Sequence, residues 1–167
     1  MQSGAFTSIG DMGTGSLSGL GVANGVLYTE QNGELYSVNV TNAGPTLLGG
    51  AAGSNLSAFG STTTGLYGIV QIGAQSVPTL VSISATGAQT PIGPARVIAN
   101  GAAAYAIVST GSSTQYMEND GSLYTMNTTT GAGTLVGTES GSYPVYALLF
   151  ENGTLLHWGQ RFQGGHS

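Results

Sequence analysis

The chain has 167 residues, of which only 5% are charged, and its formal net charge is −5. Its basic residues, Arg96 and Arg161, cannot form the clusters that bind nucleic acids or anionic membranes, so we expect no nucleic-acid partner. The absence of cysteine excludes disulfides and thiolate metal ligands. With 29 glycines and 40% hydrophobic residues, the composition indicates a folded β-protein with many turns rather than a disordered chain.

The N-terminus shows no basic segment followed by an apolar run, so no signal peptide is visible. No stretch reaches the roughly 18 apolar residues of a spanning helix, and we therefore expect no insertion into a membrane.

A motif of four residues, Thr-x-aliphatic-Gly, occurs four times along the chain. Its copies are Thr7–Gly10, Thr46–Gly49, Thr90–Gly93 and Thr134–Gly137, and successive threonines are 39, 44 and 44 residues apart. A fixed period of about 40 residues is typical of arrays such as propeller blades. The motif predicts a single domain over residues 1–167, with repeat units at approximately 11–50, 51–93, 94–137 and 138–167 and a leading strand at 6–10.

Three further strands, A to C, are predicted before the motif, which forms strand D of each unit. Strand A is predicted at 17–22, 56–60, 96–99 and 145–150. Strand B is predicted at 26–28, 65–67, 103–105 and 154–156, and residues 111–119 are taken as an insert after the third copy. Strand C, at 35–39, 80–84 and 123–127, alternates polar and apolar residues as a half-buried strand does. The predicted fold is an all-β propeller of about four blades with three or four antiparallel strands each.

The leading strand D has no blade of its own, and the last unit has no strand D. Propellers commonly close by letting one terminus complete the blade begun by the other, which removes open sheet edges. Phe6–Gly10 is therefore predicted to pair with the last unit around Thr154–Trp158. Either a monomer closes as four blades, or a homodimer forms in which each chain supplies half of an eight-bladed ring. A fragment of a longer repeat chain is the alternative.

The recurring pattern Leu-Tyr, Leu-Tyr-x-Val-Asn and Thr-Gly-Ala-x-Thr-Leu-Val-Gly resembles the repeats of bacterial secreted β-propeller proteins. The resemblance covers residues 6 to about 158. It implies a propeller, a location outside the cell or at its surface, and often a ligand bound at one face. The shared motifs are structural and carry no catalytic signature, so no functional residue is transferred from the family.

His157 is the most distinctive ionisable residue, and Glu151 and Arg161 are near it in sequence. Histidine and a carboxylate together perform general acid–base chemistry, so a small hydrolase or lyase with these residues in the propeller channel is one hypothesis. The alternative is a strand histidine bonded to a backbone carbonyl, since a fold alone does not imply a site. The sequence has no nucleophile elbow and no phosphate-binding loop.

Glu118 and Asp120 offer oxygen ligands of the kind that Ca²⁺ prefers. Asp120-Gly121 is also a strong hairpin-turn signal, and the turn is the favoured interpretation. We expect no cofactor, with Ca²⁺ as the ion for which the sequence supplies ligands. A structural zinc site needs about four nitrogen or sulfur ligands, which two histidines and no cysteine do not readily provide.

Tyrosines recur at equivalent strand positions, so Tyr28, Tyr67 and Tyr105, with Trp158, are candidates for stacking on a sugar. The alternative is packing between blades, because aromatic residues on alternating strand positions usually pack against the sheet. The few ionisable residues and the lack of a catalytic motif favour a non-catalytic binding or assembly module of an exported or surface protein. Its predicted ligand is a glycan or another protein.

Overall fold

The computed structural model describes residues 7–13, 17, 19–50, 56–70, 77–95, 106–109, 114–119, 122–138, 145–151 and 154–159. Within these residues the chain forms β-strands and no helix. The strands are β1 (Leu20–Ala23), β2 (Val26–Gln31), β3 (Glu34–Val38), β4 (Pro45–Gly50), β5 (Leu56–Ser61), β6 (Leu66–Val70), β7 (Thr79–Ile83), β8 (Gln89–Pro94), β9 (Ala106–Ser109), β10 (Thr114–Asn119), β11 (Ser122–Asn127), β12 (Gly133–Thr138), β13 (Val145–Glu151) and β14 (Thr154–Gly159).

The strands form consecutive antiparallel sheets, each a meander of sequence neighbours. β1–β4, β5–β8 and β9–β12 are four-stranded sheets, here called blades 1, 2 and 3. β13 and β14 pair as a two-stranded sheet within the described residues, here called the last blade. This architecture confirms the predicted all-β fold and its four-stranded antiparallel units.

The Thr-x-aliphatic-Gly motif forms the outermost strand of each complete blade. Its second, third and fourth copies lie in β4, β8 and β12, as predicted. The first copy, Thr7–Gly10, is exposed and belongs to no strand within the described residues. Its pairing with the last blade stays a prediction.

Blade 3 requires a correction to the predicted strand order. Its second strand is β10, which falls within the segment predicted to be an insert, and its first strand is β9. The segments 96–99 and 103–105, predicted as strands A and B, lie outside the described residues. The prediction failed because Ala103–Tyr105 matches the Leu-Tyr pattern more closely in sequence than Gln115-Tyr116 does, although the strand ladder includes the latter pair.

The inner strands pack against one another in chain order. β1 packs on β5, β5 on β9 and β9 on β13, whereas no comparable packing joins β13 back to β1. Glycine permits this close approach, because a side chain on Gly60 would lie 2.6 Å from the Ile107 carbonyl oxygen of the next blade. The described blades therefore follow one another as an arc, and closure of a ring between its first and last members stays a prediction.

The hydrophobic core consists of two clusters, one at each junction between complete blades. Ala23 and Leu35 of blade 1 pack with Phe59 and Val81 of blade 2. The second cluster joins blades 2 and 3 and contains Ala58, Ile69, Leu80, Ala95, Ile107 and Met126. Burying each large apolar side chain contributes about 1.5–3 kcal/mol, so the junctions between blades hold the arc together.

The turns from strand C to strand D repeat the same hydrogen bonds in each blade. The Asn39 amide N–H donates to the Gly44 carbonyl at 3.0 Å, and the Asn127 N–H donates to the Ala132 carbonyl at 2.8 Å. Ser84 and Ala88 form the corresponding bond in blade 2, at 2.9 Å. Because these bonds fix the turn, each turn presents its backbone to the neighbouring blade in the same way.

Candidate binding surfaces

A contact between a motif glycine and the turn of the next blade recurs along the arc. A methyl group on Gly49 would overlap the carbonyl oxygen of Thr86, and one on Gly93 would overlap that of Thr130. Gly10 meets the carbonyl of Asn42 in the same way. At these three motifs the last residue is glycine because two backbones meet there and leave no room for a side chain.

Gly137 is the fourth motif glycine, and its surroundings differ. No atom of the described residues lies within 4 Å of the position that a methyl group on Gly137 would occupy. Val136 beside it is 55% exposed. The equivalent residues Leu48 and Ile92 pack against the two core clusters. The outer strand of blade 3 therefore has the residues of a blade junction without a described neighbour to cover them.

The opposite end of the arc also has an exposed apolar face. Leu20 lies opposite Thr29 in the β1–β2 ladder, and Phe59 holds the same position opposite Gly68 in blade 2. Phe59 is 2% exposed, but Leu20 is 57% exposed and Val22 is 53% exposed. The difference arises because blade 2 has a neighbour on this side, whereas among the described residues blade 1 has only the segment around Thr7–Gly10, near its outer turn.

Two of the tyrosines proposed for sugar stacking contribute to packing. Tyr28 packs partly buried against the cluster between blades 1 and 2, and Tyr67 against the cluster between blades 2 and 3. Tyr105 lies outside the described residues. The ladder position that Tyr28 holds opposite Ser37 is held in blade 3 by Tyr116, opposite Thr125. Tyr116 can be identified from the sequence only when the strands of blade 3 are aligned correctly with those of blade 1.

The residues of the proposed acid–base site are spread along the last blade. His157 lies opposite Leu148 in the β13–β14 ladder, and Glu151 lies opposite Thr154. Three ladder positions separate them, which corresponds to about 10 Å of strand. Trp158 follows on the same strand, opposite Ala147, and Arg161 lies outside the described residues.

Glu30 is a buried carboxylate whose role the sequence did not reveal. It is 2% exposed, and its Oε1 accepts a hydrogen bond from the Gly33 N–H at the β2–β3 hairpin. Its Oε2 has no hydrogen-bond partner among the described residues. Glu30 lies opposite Leu35 in the β2–β3 ladder, and this strand pairing identifies the residue.

Glu118, a proposed Ca²⁺ ligand, holds the position of Glu30 in blade 3. It lies opposite Leu123, and it precedes Gly121 by three residues as Glu30 precedes Gly33. Asp120 lies outside the described residues, between strands that pair up to Asn119 and Ser122. Whether Glu118 and Asp120 bind Ca²⁺ stays a prediction. In the part of the chain that the structure describes, no three His, Asp or Glu residues are grouped to hold a metal ion.

Tyr36 and Glu34 form a pair of polar side chains on β3. The Tyr36 hydroxyl donates a hydrogen bond to Glu34 Oε2 at 2.7 Å. This bond, together with burial and the charge of the carboxylate, raises the pKa of Tyr36 above its usual value near 10.0.

Comparison with known proteins gives structural relatives only. No protein family model matches the chain, and no curated protein is significantly similar to it in sequence. The computationally designed Ika4 protein is 13% identical over 93% of this chain and 99% of its own, with a TM-score of 0.49. BamB from Moraxella catarrhalis is 14% identical over 86% of this chain and 44% of its own, with a TM-score of 0.45.

The computationally designed Ika8 protein is 12% identical over 90% of this chain and 45% of its own, with a TM-score of 0.50. The chain thus spans about half the length of Ika8 and of BamB. No helix among the described residues is long and apolar enough to cross a bilayer. The consecutive four-stranded antiparallel sheets and the likeness to Ika8 establish an all-β fold of β-propeller type.

Proposed function

We propose that the chain is a non-catalytic binding or assembly module of an exported or surface protein, and that it binds polypeptide through the two ends of its arc of blades. The observation that carries this proposal is the contrast between Leu20 and Phe59. They hold the same ladder position, yet Leu20 is 57% exposed and Phe59 is 2% exposed. Adjacent exposed apolar side chains of this kind mark interaction surfaces.

The chemistry of the exposed faces favours a protein ligand over a glycan. Leu20 and Val22 at one end and Val136 at the other are aliphatic. Sugar rings stack on flat aromatic faces, and two of the candidates for such stacking, Tyr28 and Tyr67, pack against the core. An aliphatic face of a sheet is instead covered well by a second sheet.

Two features support a non-catalytic role at an extracellular or surface location. The backbones of His157 and Glu151 are three ladder positions apart, which does not bring them together as an acid–base pair. The composition, with 5% charged residues and abundant Gly, together with the resemblance to secreted repeats, supports an exported protein.

The test is a binding measurement on sparsely immobilised chain, so that immobilised copies do not pair with each other. The analytes are the chain itself, a library of random peptides and a panel of glycans, and the control is the double variant L20S/V22S. We expect a polypeptide analyte to bind the wild type and to lose binding to the control. Failure of every polypeptide analyte, or glycan binding that survives the double substitution, would contradict the proposal.

A further inference from the structure

We propose that the face around Gly137 is the docking site for residues 2–5 of a second copy of the chain, so that two copies close one ring head to tail. This inference rests on the proposed function, because it names the polypeptide that the ends of the arc bind. It starts from the repeated contact between a motif glycine and a turn, which each complete blade makes with the strand or segment before it.

At the two junctions between complete blades, the contact has glycine on both of its sides. Gly131, in the turn of blade 3, has a φ of +73°, and a side chain there would lie 2.5 Å from the Gly93 carbonyl oxygen. Gly87 has a φ of +79°, and its side chain would lie 2.6 Å from the Gly49 carbonyl oxygen. The pairing thus requires a motif glycine in one blade and a compact left-handed residue in the turn of the next.

The N-terminal residues contain a fourth copy of the sequence of that turn. Thr86-Gly87-Ala88 and Thr130-Gly131-Ala132 precede their motif threonines by four to two residues, and Ser3-Gly4-Ala5 precedes Thr7 with the same spacing. The motif that follows is seated like the others, because Gly10 meets the Asn42 carbonyl of blade 1. The chain therefore has one turn sequence, Ser3-Gly4-Ala5, for which no motif glycine is described as a partner. At Gly137 it has a motif glycine without a described turn.

A second copy, rather than the same chain, is the occupant that fits the arc. Gly10 lies on blade 1 and Gly137 lies on blade 3, while β13 does not pack back onto β1. The start and the end of one arc are thus apart. A twofold axis relating two copies makes both junctions equivalent, and such closed pairs are the commonest form of oligomer. In this ring the exposed Leu20 and Val22 face the last blade of the partner.

Two point substitutions block the two sides of the contact separately. Gly137→Val adds a side chain where the described chain leaves open space, so each copy should still fold. Gly4→Val tests the turn side of the contact, because the equivalent Gly87 and Gly131 have left-handed φ values that β-branched residues rarely adopt. Gly4→Ala is the matched control, because Ala43 holds the corresponding position in blade 1 with a φ of +58°. Thr134→Val, on the same strand as Gly137, controls for added apolar surface.

The experiment is sedimentation of each variant and of their mixture. We expect Gly137→Val and Gly4→Val each to weaken association about ten-fold or more and to sediment as 16.7 kDa chains, whereas both controls stay paired. Mixing Gly137→Val with Gly4→Val should restore a species of twice that mass. In the mixed pair, one of the two junctions joins an unsubstituted Gly137 face to an unsubstituted N-terminal segment. Circular dichroism and urea unfolding in dilute solution confirm that every variant is folded.

Three results would overturn the inference. The first is that the wild type sediments as a single chain at all concentrations. The second is that both valine substitutions leave association unchanged. The third is that the two valine variants do not associate when they are mixed. A single-chain wild type that still binds peptides through Leu20 and Val22 would leave the proposed function standing, so the two proposals fail separately.

Discussion

Gly93 and Thr130 belong to neighbouring blades, and a methyl group on Gly93 would overlap the Thr130 carbonyl oxygen. The same relationship joins Gly49 to Thr86 and Gly10 to Asn42. The motif glycines thus mark the junctions between blades, and the threonine that begins each motif precedes that contact by three residues.

We expect Gly93→Ala to destabilise the chain by about 1–3 kcal/mol, because the two backbones must separate to admit the methyl group. Gly137→Ala is the matched substitution at the equivalent open position, and in dilute solution it should change the free energy of unfolding by less than about 0.5 kcal/mol. Urea unfolding followed by circular dichroism measures both. Equal effects would contradict the difference between the two junctions.

Phe59 and Leu20 form a second matched pair. Phe59→Ala should cost about 3–5 kcal/mol because it opens a cavity between blades 1 and 2. Leu20→Ala, at the same ladder position, should cost less than about 0.5 kcal/mol in dilute solution because its side chain is already exposed. Chemical unfolding at low protein concentration measures both values, and a large loss at Leu20 would show that its face is covered within a single chain.

The sequence predicted the blades with three of the four motif strands, because a fixed period and alternating residues determine strand positions locally. It misplaced strand B of blade 3, because Ala103–Tyr105 imitates the Leu-Tyr pattern and only ladder pairing identifies Thr114–Asn119. The burial of Glu30 and the exposure of Leu20 could not be predicted, because both depend on which blade faces which. Contacts between residues of neighbouring blades depend on how the blades pack along the arc, which the local sequence does not determine.

The Tyr36–Glu34 hydrogen bond predicts a pH dependence at the alkaline end. The pKa of Tyr36 is raised in the folded chain, so the bond stabilises the fold fully below the unfolded tyrosine pKa near 10.0 and stops doing so as pH rises through the folded pKa. Tyr36→Phe should therefore lower stability at neutral pH and flatten its decline above pH 10. Ultraviolet titration of the 8 tyrosines should lose a late-titrating one in the variant. An unchanged late titration would contradict the assignment.

We expect folding to require no transition metal, because the sequence has no cysteine and two histidines. A chelator should leave the melting temperature unchanged. A fall that only Zn²⁺ restores would contradict this prediction. A fall that Ca²⁺ restores would favour Glu118 and Asp120 as ligands over the interpretation of Asp120-Gly121 as a turn alone.

We expect no turnover in a screen of esters, lactones, phosphoesters and glycosides, because the described backbone does not bring His157 and Glu151 together. The control is His157→Ala, measured beside the wild type. Turnover that this substitution abolishes would show that the chain is an enzyme and would replace the binding module as its function.

The measurement that tests the account most directly is sedimentation equilibrium of the wild-type chain over a wide range of concentrations. The account predicts a reversible pair of twice 16.7 kDa that dissociates on dilution, because each arc leaves apolar ends that the other copy covers. A single 16.7 kDa species at every concentration would contradict it.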